Sequence, residues 1–173
     1  MQNQQPNPTR GMGNTMTILA WIVFLLMLTI LFSNYTDRQH NPNREVSSRT
    51  VDGQTEVRLL QNSQGHYLAN GAINDEPVTF MLDTGATLIS VPSDIAYRLG
   101  LREGPLIDVN TANGPIRVPL TRLEKVRLGD IELYDVKAAI NPHADDDTIL
   151  LGMSFLKDLE LVQRNDELII KRQ

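Results

Sequence analysis

The sequence predicts an all-β domain behind one apolar helix, and three observations support this prediction. Between residues 54 and 173, short runs of apolar and β-branched residues alternate with Gly, Asn and Asp turn signals, which is typical of a β-barrel or sandwich. Only one or two stretches in this region have helical spacing. Residues 16–32 are uncharged and apolar over the length that can just cross a bilayer, so one transmembrane helix is expected.

The composition excludes several kinds of function. The chain of 173 residues contains no cysteine, so it forms no disulfide, no thiolate metal site and no cysteine nucleophile. Its formal net charge is −5 and its basic residues are scattered. This argues against a nucleic-acid partner, because phosphate binding needs a basic face.

The N-terminal part of the sequence divides into a tail, an anchor and a linker. Residues 1–15 are rich in Gln, Asn, Pro and Gly and are expected to be disordered. Residues 16–32 are predicted as the anchor. A cleaved signal peptide is the rival interpretation, but only Arg10 precedes the apolar run and no small-residue cleavage site follows it. Residues 33–53 are polar, with Asn-Pro breaks, and are predicted as a flexible linker to the domain at 54–173.

The domain is organised around residues 82–86, Leu-Asp-Thr-Gly-Ala. An apolar strand over 78–82 leads into Asp83, and residues 87–91 are predicted as the next strand. A carboxylate beside buried strands is costly unless it is paired or hydrogen-bonded, and proteins usually keep one for a function. The alternative is an Asx-type turn in which Gly85 supplies a positive φ. The D-T-G pattern alone leaves these two interpretations about equal.

Two further elements follow along the chain. Asn113-Gly114 lies between two strand-like runs and is a strong hairpin signal. Residues 149–152, Ile-Leu-Leu-Gly, form an apolar run that ends in glycine before a short helix-like stretch. By itself this run predicts only a core strand with a glycine turn.

The order and spacing of these three elements resemble one half of an aspartic protease. Over residues 54–173 the chain is most similar to the retropepsin-like group, whose domains are closed β-barrels of about 120 residues with a single D-T-G. The stretch 150–156, Leu-Leu-Gly-Met-Ser-Phe-Leu, is similar to the bacterial membrane-anchored branch. The resemblance implies a membrane-anchored aspartic endopeptidase with one or two short helices, no cofactor and no metal.

The resemblance also implies a role for each motif residue. Asp83 would be the catalytic carboxylate. The other implied site residues are the active-site loop support Thr84, Gly85 and Ala86, the flap Thr111, Ala112, Asn113 and Gly114, and the loop packing Leu150, Leu151 and Gly152. The flap would close over substrate and exclude water, although it lacks the aromatic residue that the family often has there.

Peptide hydrolysis of this kind needs two carboxylates around one water. One accepts a proton from the water while the other gives a proton to the scissile carbonyl oxygen, and the two share a proton and titrate as a pair. The chain has a single D-T-G. The second carboxylate is therefore expected to be Asp83 of another copy, which requires a twofold homodimer. The strands near 56–60 and 168–171 are expected to build the dimer sheet.

Two other functions stay open on the sequence alone. A non-catalytic membrane-tethered β-barrel would bind extended peptides by strand addition at an exposed edge. A structural domain within an envelope complex would function without Asp83. The stretch 143–147, His-Ala-Asp-Asp-Asp, carries possible metal ligands, but its spacing fits no EF-hand, so a solvated acidic loop is expected.

The side of the membrane is predicted differently by charge and by resemblance. Arg38, Arg44 and Arg49 follow the anchor and Arg10 precedes it, so the positive-inside rule favours a cytoplasmic domain by a narrow margin. The resemblance implies a single-pass protein of a bacterial inner membrane with a periplasmic catalytic domain, which is the prediction retained. The expected partners are a second copy, a protein or peptide substrate and the membrane.

Overall fold

The computed structural model describes residues 9–51, 53–111, 114–144 and 147–172. The chain divides into an N-terminal unit up to Gln39 and a second unit that begins at His40. Helix α1 (Thr9–His40) accounts for the first. Within the described residues, α1 is the one helix that is long and apolar enough to cross a membrane, and its candidate span Thr15–His40 has a mean hydropathy of 2.5. Of the tail predicted as disordered, residues 9–15 belong to α1 and residues 1–8 lie outside the described part.

The second unit is built almost entirely from strands. Its elements are β1 (Ser47–Val51), β2 (Gln54–Leu60), β3 (Leu68–Ile73), β4 (Glu76–Leu82), β5 (Ile89–Pro92), α2 (Ser93–Arg98), β6 (Leu106–Thr111), β7 (Gly114–Leu128), β8 (Ile131–Asn141), β9 (Thr148–Leu151), α3 (Met153–Leu156), β10 (Glu160–Arg164) and β11 (Glu167–Arg172). The all-β prediction with short helices is confirmed.

Seven strands form a sheet that closes into a barrel. Their order is β3-β4-β9-β5-β8-β7-β6, and β3 also pairs with β7. This closing contact joins Ala72 to Arg127 and Ile73 to Val126. The first half of the long strand β7 pairs with β6 as a hairpin, while its second half pairs with β8. The predicted closed barrel is therefore confirmed, and the β6–β7 hairpin extends from it.

A single apolar core fills the barrel. Phe80 and Phe155 are the largest fully buried side chains, and Ile89 and Val91 of β5 point into the same core. Gly71 makes the closure of the barrel possible, because a Cβ there would lie 2.4 Å from the Arg127 carbonyl oxygen and 2.6 Å from the Phe80 ring. A side chain at residue 71 would therefore push β3 away from β7.

The remaining strands form a second, antiparallel sheet in the order β1-β2-β11-β10. The strands that the sequence predicted for the dimer sheet are the two inner strands here, and they pair with each other, with Val57 opposite Ile170. Both edges of each inner strand are therefore occupied within one chain. The two edges left for a partner in this sheet belong to β1 and β10.

The structure differs from the predicted flexible linker over residues 33–53. Residues 33–40 continue α1, and residues 47–51 form β1. Between them, the 41–43 segment (Asn-Pro-Asn) is fixed against the barrel, with Asn41 and Asn43 only 7% and 4% exposed. Sequence reasoning missed this because Asn-Pro has the same turn chemistry whether it is solvated or buried.

Asn43 explains why the 41–43 segment is ordered. Its Nδ2 donates to the carbonyl oxygens of Leu60 (2.8 Å) and Leu68 (2.6 Å), and its Oδ1 accepts from the Leu60 N–H (2.7 Å). The Asn43 N–H donates to Asn41 Oδ1 (3.0 Å), and Asn41 Nδ2 donates to Asn70 Oδ1 (3.0 Å). The segment thus satisfies backbone groups at the end of β2 and the start of β3.

Candidate active site

Asp83 lies directly after β4, at the start of the loop that leads to β5. Its N–H donates to the Leu151 carbonyl oxygen (3.2 Å), and its Oδ1 accepts from the Gly85 N–H (2.8 Å). The latter bond is an Asx turn, so the local turn and the functional interpretation are compatible. Gly85 is not among the glycines with positive φ, which contradicts the role that the turn alternative gave it.

The loop is held from behind by residues that follow β9. The Met153 N–H donates to the Ala86 carbonyl oxygen (2.8 Å), and the Ser154 N–H donates to that of Thr87 (3.0 Å). Ser154 Oγ accepts from the Ile89 N–H (2.9 Å). Together with the bond from Asp83 to Leu151, these contacts fix the backbone of the loop along its whole length.

Gly152 allows the backbone of residues 151–154 to lie close to the backbone of the Asp83 loop. Its φ of −87° is open to any residue, so the requirement is for space. A Cβ at residue 152 would lie 2.3 Å from the Leu88 carbonyl oxygen and 2.6 Å from that of Ala86, distances that no side chain accommodates. Of its predicted neighbours, Leu151 is fully buried in the core and Leu150 lies at the cleft beside Asp83.

A cleft of about 510 Å³ opens beside Asp83. Its described lining residues, apart from Asp83, are Gly85, Ala86, Thr87, Leu88, Ser90, Val109, Asn110, Thr111, Ile116, Val118, Ala139, Asn141 and Leu150. Asp83 is the one charged residue among those described at the cleft. The half-buried carboxylate therefore faces a mainly apolar space, in which it can accept a proton from a water molecule.

The hairpin predicted as the flap forms one side of the same cleft. Val109 and Ile116 are directly opposite on β6 and β7, and both line the cleft. Thr111 also lines it, and its Oγ1 donates to the Gly114 carbonyl oxygen (2.7 Å). The predicted flap residues Ala112 and Asn113 lie outside the described residues. Thr84, predicted to support the loop, is exposed beside Asp83.

Several residues around Asp83 were missed by sequence reasoning. Ser154 lies two positions after Gly152, and a hydroxyl residue in the first turn of a short helix was the available signal. Ser90 and Ala139 carry no local signal, because they meet only where β5 pairs with β8. Their place at the cleft is a property of the sheet order.

Comparison with known proteins gives the family. A family model for gag-polyprotein putative aspartyl proteases matches residues 69–158, which include Asp83 and Gly152. The chain belongs to the retropepsin-like aspartic proteases. A crystal structure of a retropepsin-like aspartic protease from Rickettsia conorii is similar to it, with 28% sequence identity and a TM-score of 0.59 over 74% of this chain and 96% of that chain.

Two curated relatives of this retropepsin-like protein are bacterial. An uncharacterized protein in the cobV 5′ region of Sinorhizobium sp. is 31% identical over 134 residues, which cover 75% of this chain and 58% of that protein. Uncharacterized protein RP867 of Rickettsia prowazekii (strain Madrid E) is 29% identical over 118 residues, 66% of this chain and 50% of that protein. The chain spans about half the length of these relatives.

Proposed function

We propose that this retropepsin-like chain is a membrane-anchored aspartic endopeptidase that is active as a homodimer. The observation that carries the proposal is the position of Asp83, whose carboxylate is fixed by its loop at the edge of a mainly apolar cleft. A carboxylate in such a place is costly unless it is paired or hydrogen-bonded, and proteins usually keep one for a function. The β6–β7 hairpin lines the cleft together with the Asp83 loop, so an extended peptide could bind between the two.

The reaction would use Asp83 from each of two copies. The ionised carboxylate takes a proton from a water molecule bound between the two, and the water oxygen forms a bond to the scissile carbonyl carbon. The protonated carboxyl group gives its proton to the carbonyl oxygen, which yields a neutral tetrahedral diol. In the collapse of the diol, the ionised carboxylate takes a proton from one diol hydroxyl and the protonated carboxyl group gives its proton to the amide nitrogen. The C–N bond breaks, which releases a carboxylic acid and an amine. Water is the only co-reactant.

The homodimer is supported by the lack of a second carboxylate at the described cleft of one copy. Among the described residues at the cleft, Asp83 is the sole acid, whereas the chemistry needs a pair that shares one proton. A twofold axis beside Asp83 would bring the two carboxylates together. Thr84 is exposed next to Asp83, where its hydroxyl would bond to the partner loop. In such a dimer, the four-stranded sheets of the two copies would pair through the free edges of β1 and β10.

The other predicted site residues take supporting roles in the same proposal. Gly85 donates its N–H to the Asp83 carboxylate and Ala86 fixes the loop through its carbonyl oxygen. The hairpin that contains Thr111, Ala112, Asn113 and Gly114 would be the flap. Leu150, Leu151 and Gly152 would hold the loop from behind, so that the carboxylate is positioned before substrate binds.

The first test is peptide cleavage by the full chain in detergent micelles. A diverse peptide mixture is incubated with the wild type and with Asp83→Asn from about pH 4 to about pH 7, and the products are read by mass spectrometry. Asp158→Asn is the matched control, because Asp158 is exposed and lies outside the cleft. We expect cleavage by the wild type and the control, and a loss of about 10³-fold or more in Asp83→Asn.

Other results would overturn the proposal. Equal cleavage by Asp83→Asn would mean that another group or a contaminant is responsible. Binding of peptides without any cleavage, by protein shown to be dimeric, would favour the peptide-binding barrel. Mixing equal amounts of wild-type and Asp83→Asn monomers before assembly tests the shared dyad, since random pairing leaves about one quarter of the dimers with both aspartates. Activity of about one half would indicate that each copy acts independently, and activity of about three quarters would indicate that one aspartate per dimer suffices.

The anchor and its orientation complete the proposal. Residues 16–32 would cross a bacterial inner membrane once, with the catalytic unit in the periplasm. The apolar helix α1 supports the single crossing. Fusion of the C-terminus to a reporter that is active on only one side of the membrane tests the orientation. A cytoplasmic signal would overturn the periplasmic placement and agree with the charge rule.

A further inference from the structure

Asn43 covers the part of strand β3 that β7 does not reach. Within the described residues, β3 pairs with β7 at Ala72 and Ile73 alone, near the end of the strand. At the start of β3, Asn43 forms a parallel bridge with Ala69, and its carbonyl oxygen accepts from the Asn70 N–H (3.1 Å). Asn43 therefore occupies the outer edge of β3 where that edge would otherwise be open.

The side chain of Asn43 holds the start of β3 on the path that leads to Asp83. Its Nδ2 donates to the carbonyl oxygen of Leu68 (2.6 Å), a residue that is 3% exposed. The hydrogen-bonding groups of successive strand residues point to opposite edges, so the carbonyl group of Tyr67 points toward β4. There it accepts from the Leu82 N–H (3.0 Å), in the residue that directly precedes Asp83.

The backbone at Asp83 is thus held from two sides. On the side of β9, the Asp83 N–H donates to the Leu151 carbonyl oxygen (3.2 Å). On the side of β3, two hydrogen bonds connect Leu82 to Asn43 through the backbone of residues 67–68. Without the Asn43 amide, a carbonyl group of this backbone would be buried without its partner, which is costly. The start of β3 would then move away from β4 and release the strand end that carries Asp83.

Asn62 fixes the turn that leads into Tyr67. Its Oδ1 accepts from the His66 N–H (2.9 Å), and its own N–H donates to the His66 carbonyl oxygen (2.8 Å). Its Nδ2 donates to the His40 carbonyl oxygen (3.0 Å). Asn62 is 7% exposed. Two buried asparagines, Asn43 and Asn62, therefore fasten the backbone on which Tyr67 lies.

We propose that Asn43 is a positioning residue for peptide cleavage, which acts through the backbone of residues 67–68 and Leu82 to keep the Asp83 carboxylate in its reactive place. A displacement of about 1 Å, caused by a change far from the reacting atoms, can lower a rate by about 100-fold. The segment that follows α1 is then required for catalysis and is more than a spacer. The inference deepens the proposed function and rests on it.

The test measures kcat and KM for a cleaved peptide with the full chain in detergent. Asn43 lies outside the described lining of the cleft. In Asn43→Ala we therefore expect kcat to fall by about tenfold while KM changes by less than about twofold, because the carboxylate is displaced and the cleft keeps its lining. Thermal unfolding of each variant shows that it is folded at the temperature of the assay.

Asn74→Ala is the matched control. Asn74 directly follows β3, and it fastens the opposite end of this strand to β7. Its Oδ1 accepts from the Lys125 N–H (3.0 Å), and its N–H donates to the Lys125 carbonyl oxygen (2.9 Å). The control also removes an asparagine that bonds to backbone, so it should lower stability. It should keep the kcat of the wild type, because this end of β3 does not lead to Asp83.

Hydrogen exchange of the Leu82 amide gives a second readout that needs no activity. We expect this amide to exchange about tenfold faster in Asn43→Ala than in the wild type, because its bond to the Tyr67 carbonyl oxygen opens more often. Asn74→Ala should leave its exchange unchanged. Asn62→Ala should accelerate exchange and lower kcat in the same direction, and it replaces Asn43→Ala as the test if that variant does not fold.

The outcomes separate this inference from the proposed function. Cleavage that depends on Asp83, with a kcat that Asn43→Ala leaves unchanged or that Asn74→Ala lowers equally, overturns the positioning role alone. Unchanged exchange of the Leu82 amide in a folded Asn43→Ala protein also overturns it. Cleavage by Asp83→Asn equal to that of the wild type overturns the proposed function, and the positioning role with it.

Discussion

The loop at Asp83 and the 41–43 segment are both short stretches fixed by hydrogen bonds, but the bonds come from different kinds of groups. At the loop, backbone atoms of residues 151–154 meet backbone atoms of residues 83–89, with Ser154 adding a side-chain bond. At the 41–43 segment, the side chain of Asn43 reaches backbone groups of Leu60 and Leu68, and the side chain of Asn41 bonds to the Asn43 N–H and to the Asn70 side chain. The contact behind the Asp83 loop is possible because Gly152 has no side chain. The contact of the 41–43 segment forms because the Asn43 side chain has an amide that both donates and accepts hydrogen bonds.

This difference explains why one region was recognisable in the sequence and the other was not. At Gly152 the close approach of two backbones excludes every residue except glycine, so the L-L-G run carries a pattern that is visible in the sequence. An asparagine beside proline is equally suited to a solvated turn, and its buried partners lie far along the chain. The following predictions test whether the two regions stabilise the protein in the way this comparison states.

The largest effect is expected at Gly152. In Gly152→Ala the new Cβ meets two carbonyl oxygens at 2.3 and 2.6 Å, so the loop must move and the free energy of unfolding should fall by about 3 kcal/mol or more. Peptide cleavage should be largely lost. Urea unfolding of the full chain measures the stability.

Gly100→Ala is the matched control for this change. Gly100 has a φ of +63° and nothing within 4 Å of a Cβ, so the cost is backbone strain alone, about 1 kcal/mol. If Gly152→Ala were no more costly than Gly100→Ala, the close approach behind Asp83 would not be a requirement.

Asn43→Ala should have the next largest effect. It removes three hydrogen bonds and leaves backbone groups of Leu60 and Leu68 without partners in a buried place. We expect a loss of about 3 kcal/mol in the free energy of unfolding, measured as for Gly152. Gln163→Ala, on the exposed strand β10, should change it by less than about 0.5 kcal/mol. If Asn43→Ala and Gln163→Ala changed the free energy of unfolding equally, residues 41–43 would be part of a flexible linker, as the sequence predicted.

The stability of the protein should depend on pH through the contact between β1 and β2, the strands that follow the 41–43 segment. Glu56 of β2 is 7% exposed and lies opposite Arg49 of β1, with Arg49 Nε donating to its Oε2 at 2.8 Å. The Arg49 hydrogen bond, aided by the charge of Lys171 and opposed by burial, lowers the pKa of Glu56 below 4.5. The stabilisation is thus complete above about pH 4.5 and is lost as the pH falls through the lowered pKa of the folded state.

Urea midpoints measured from about pH 6 down to about pH 3 check this prediction. Glu56→Gln should remove part of the acid-induced loss of stability, while Glu160→Gln, an exposed carboxylate on β10, should keep the profile of the wild type. Identical profiles for all three proteins would mean that the Arg49–Glu56 contact does not fasten β1 to β2.

The smallest effect is expected at Ser154. Ser154→Ala deletes the acceptor of the Ile89 N–H but keeps both backbone bonds to the loop. The free energy of unfolding should fall by about 1 kcal/mol, and kcat should fall with little change in KM, because the loop is loosened rather than the cleft altered. Ser93→Ala serves as the control, because Ser93 lies at the start of α2 and outside the described lining of the cleft. A loss as large as that of Gly152→Ala would show that the side chain, and not the backbone, fixes the loop.

Much of the catalytic unit could be predicted because its signals are local. The strand before Asp83, the Asn113-Gly114 hairpin and the Ile-Leu-Leu-Gly run each follow from residues within a few positions of one another. Their spacing predicted the family and the closed barrel. The outer strand β1 escaped prediction because Ser47–Val51 is polar and mostly exposed, and it becomes a strand through its pairing with β2.

The sequence by itself determined the all-β fold, the retropepsin-like family and the position of Asp83 in a glycine turn, since strand periodicity, turn residues and glycine spacing act over short distances. Only the tertiary structure decided that the terminal strands pair within one chain, that Asn41 and Asn43 are buried, and that Ser90 and Ala139 meet at the cleft. These features depend on which strands become neighbours. Strand order is set by packing of the whole core, and no local pattern records it.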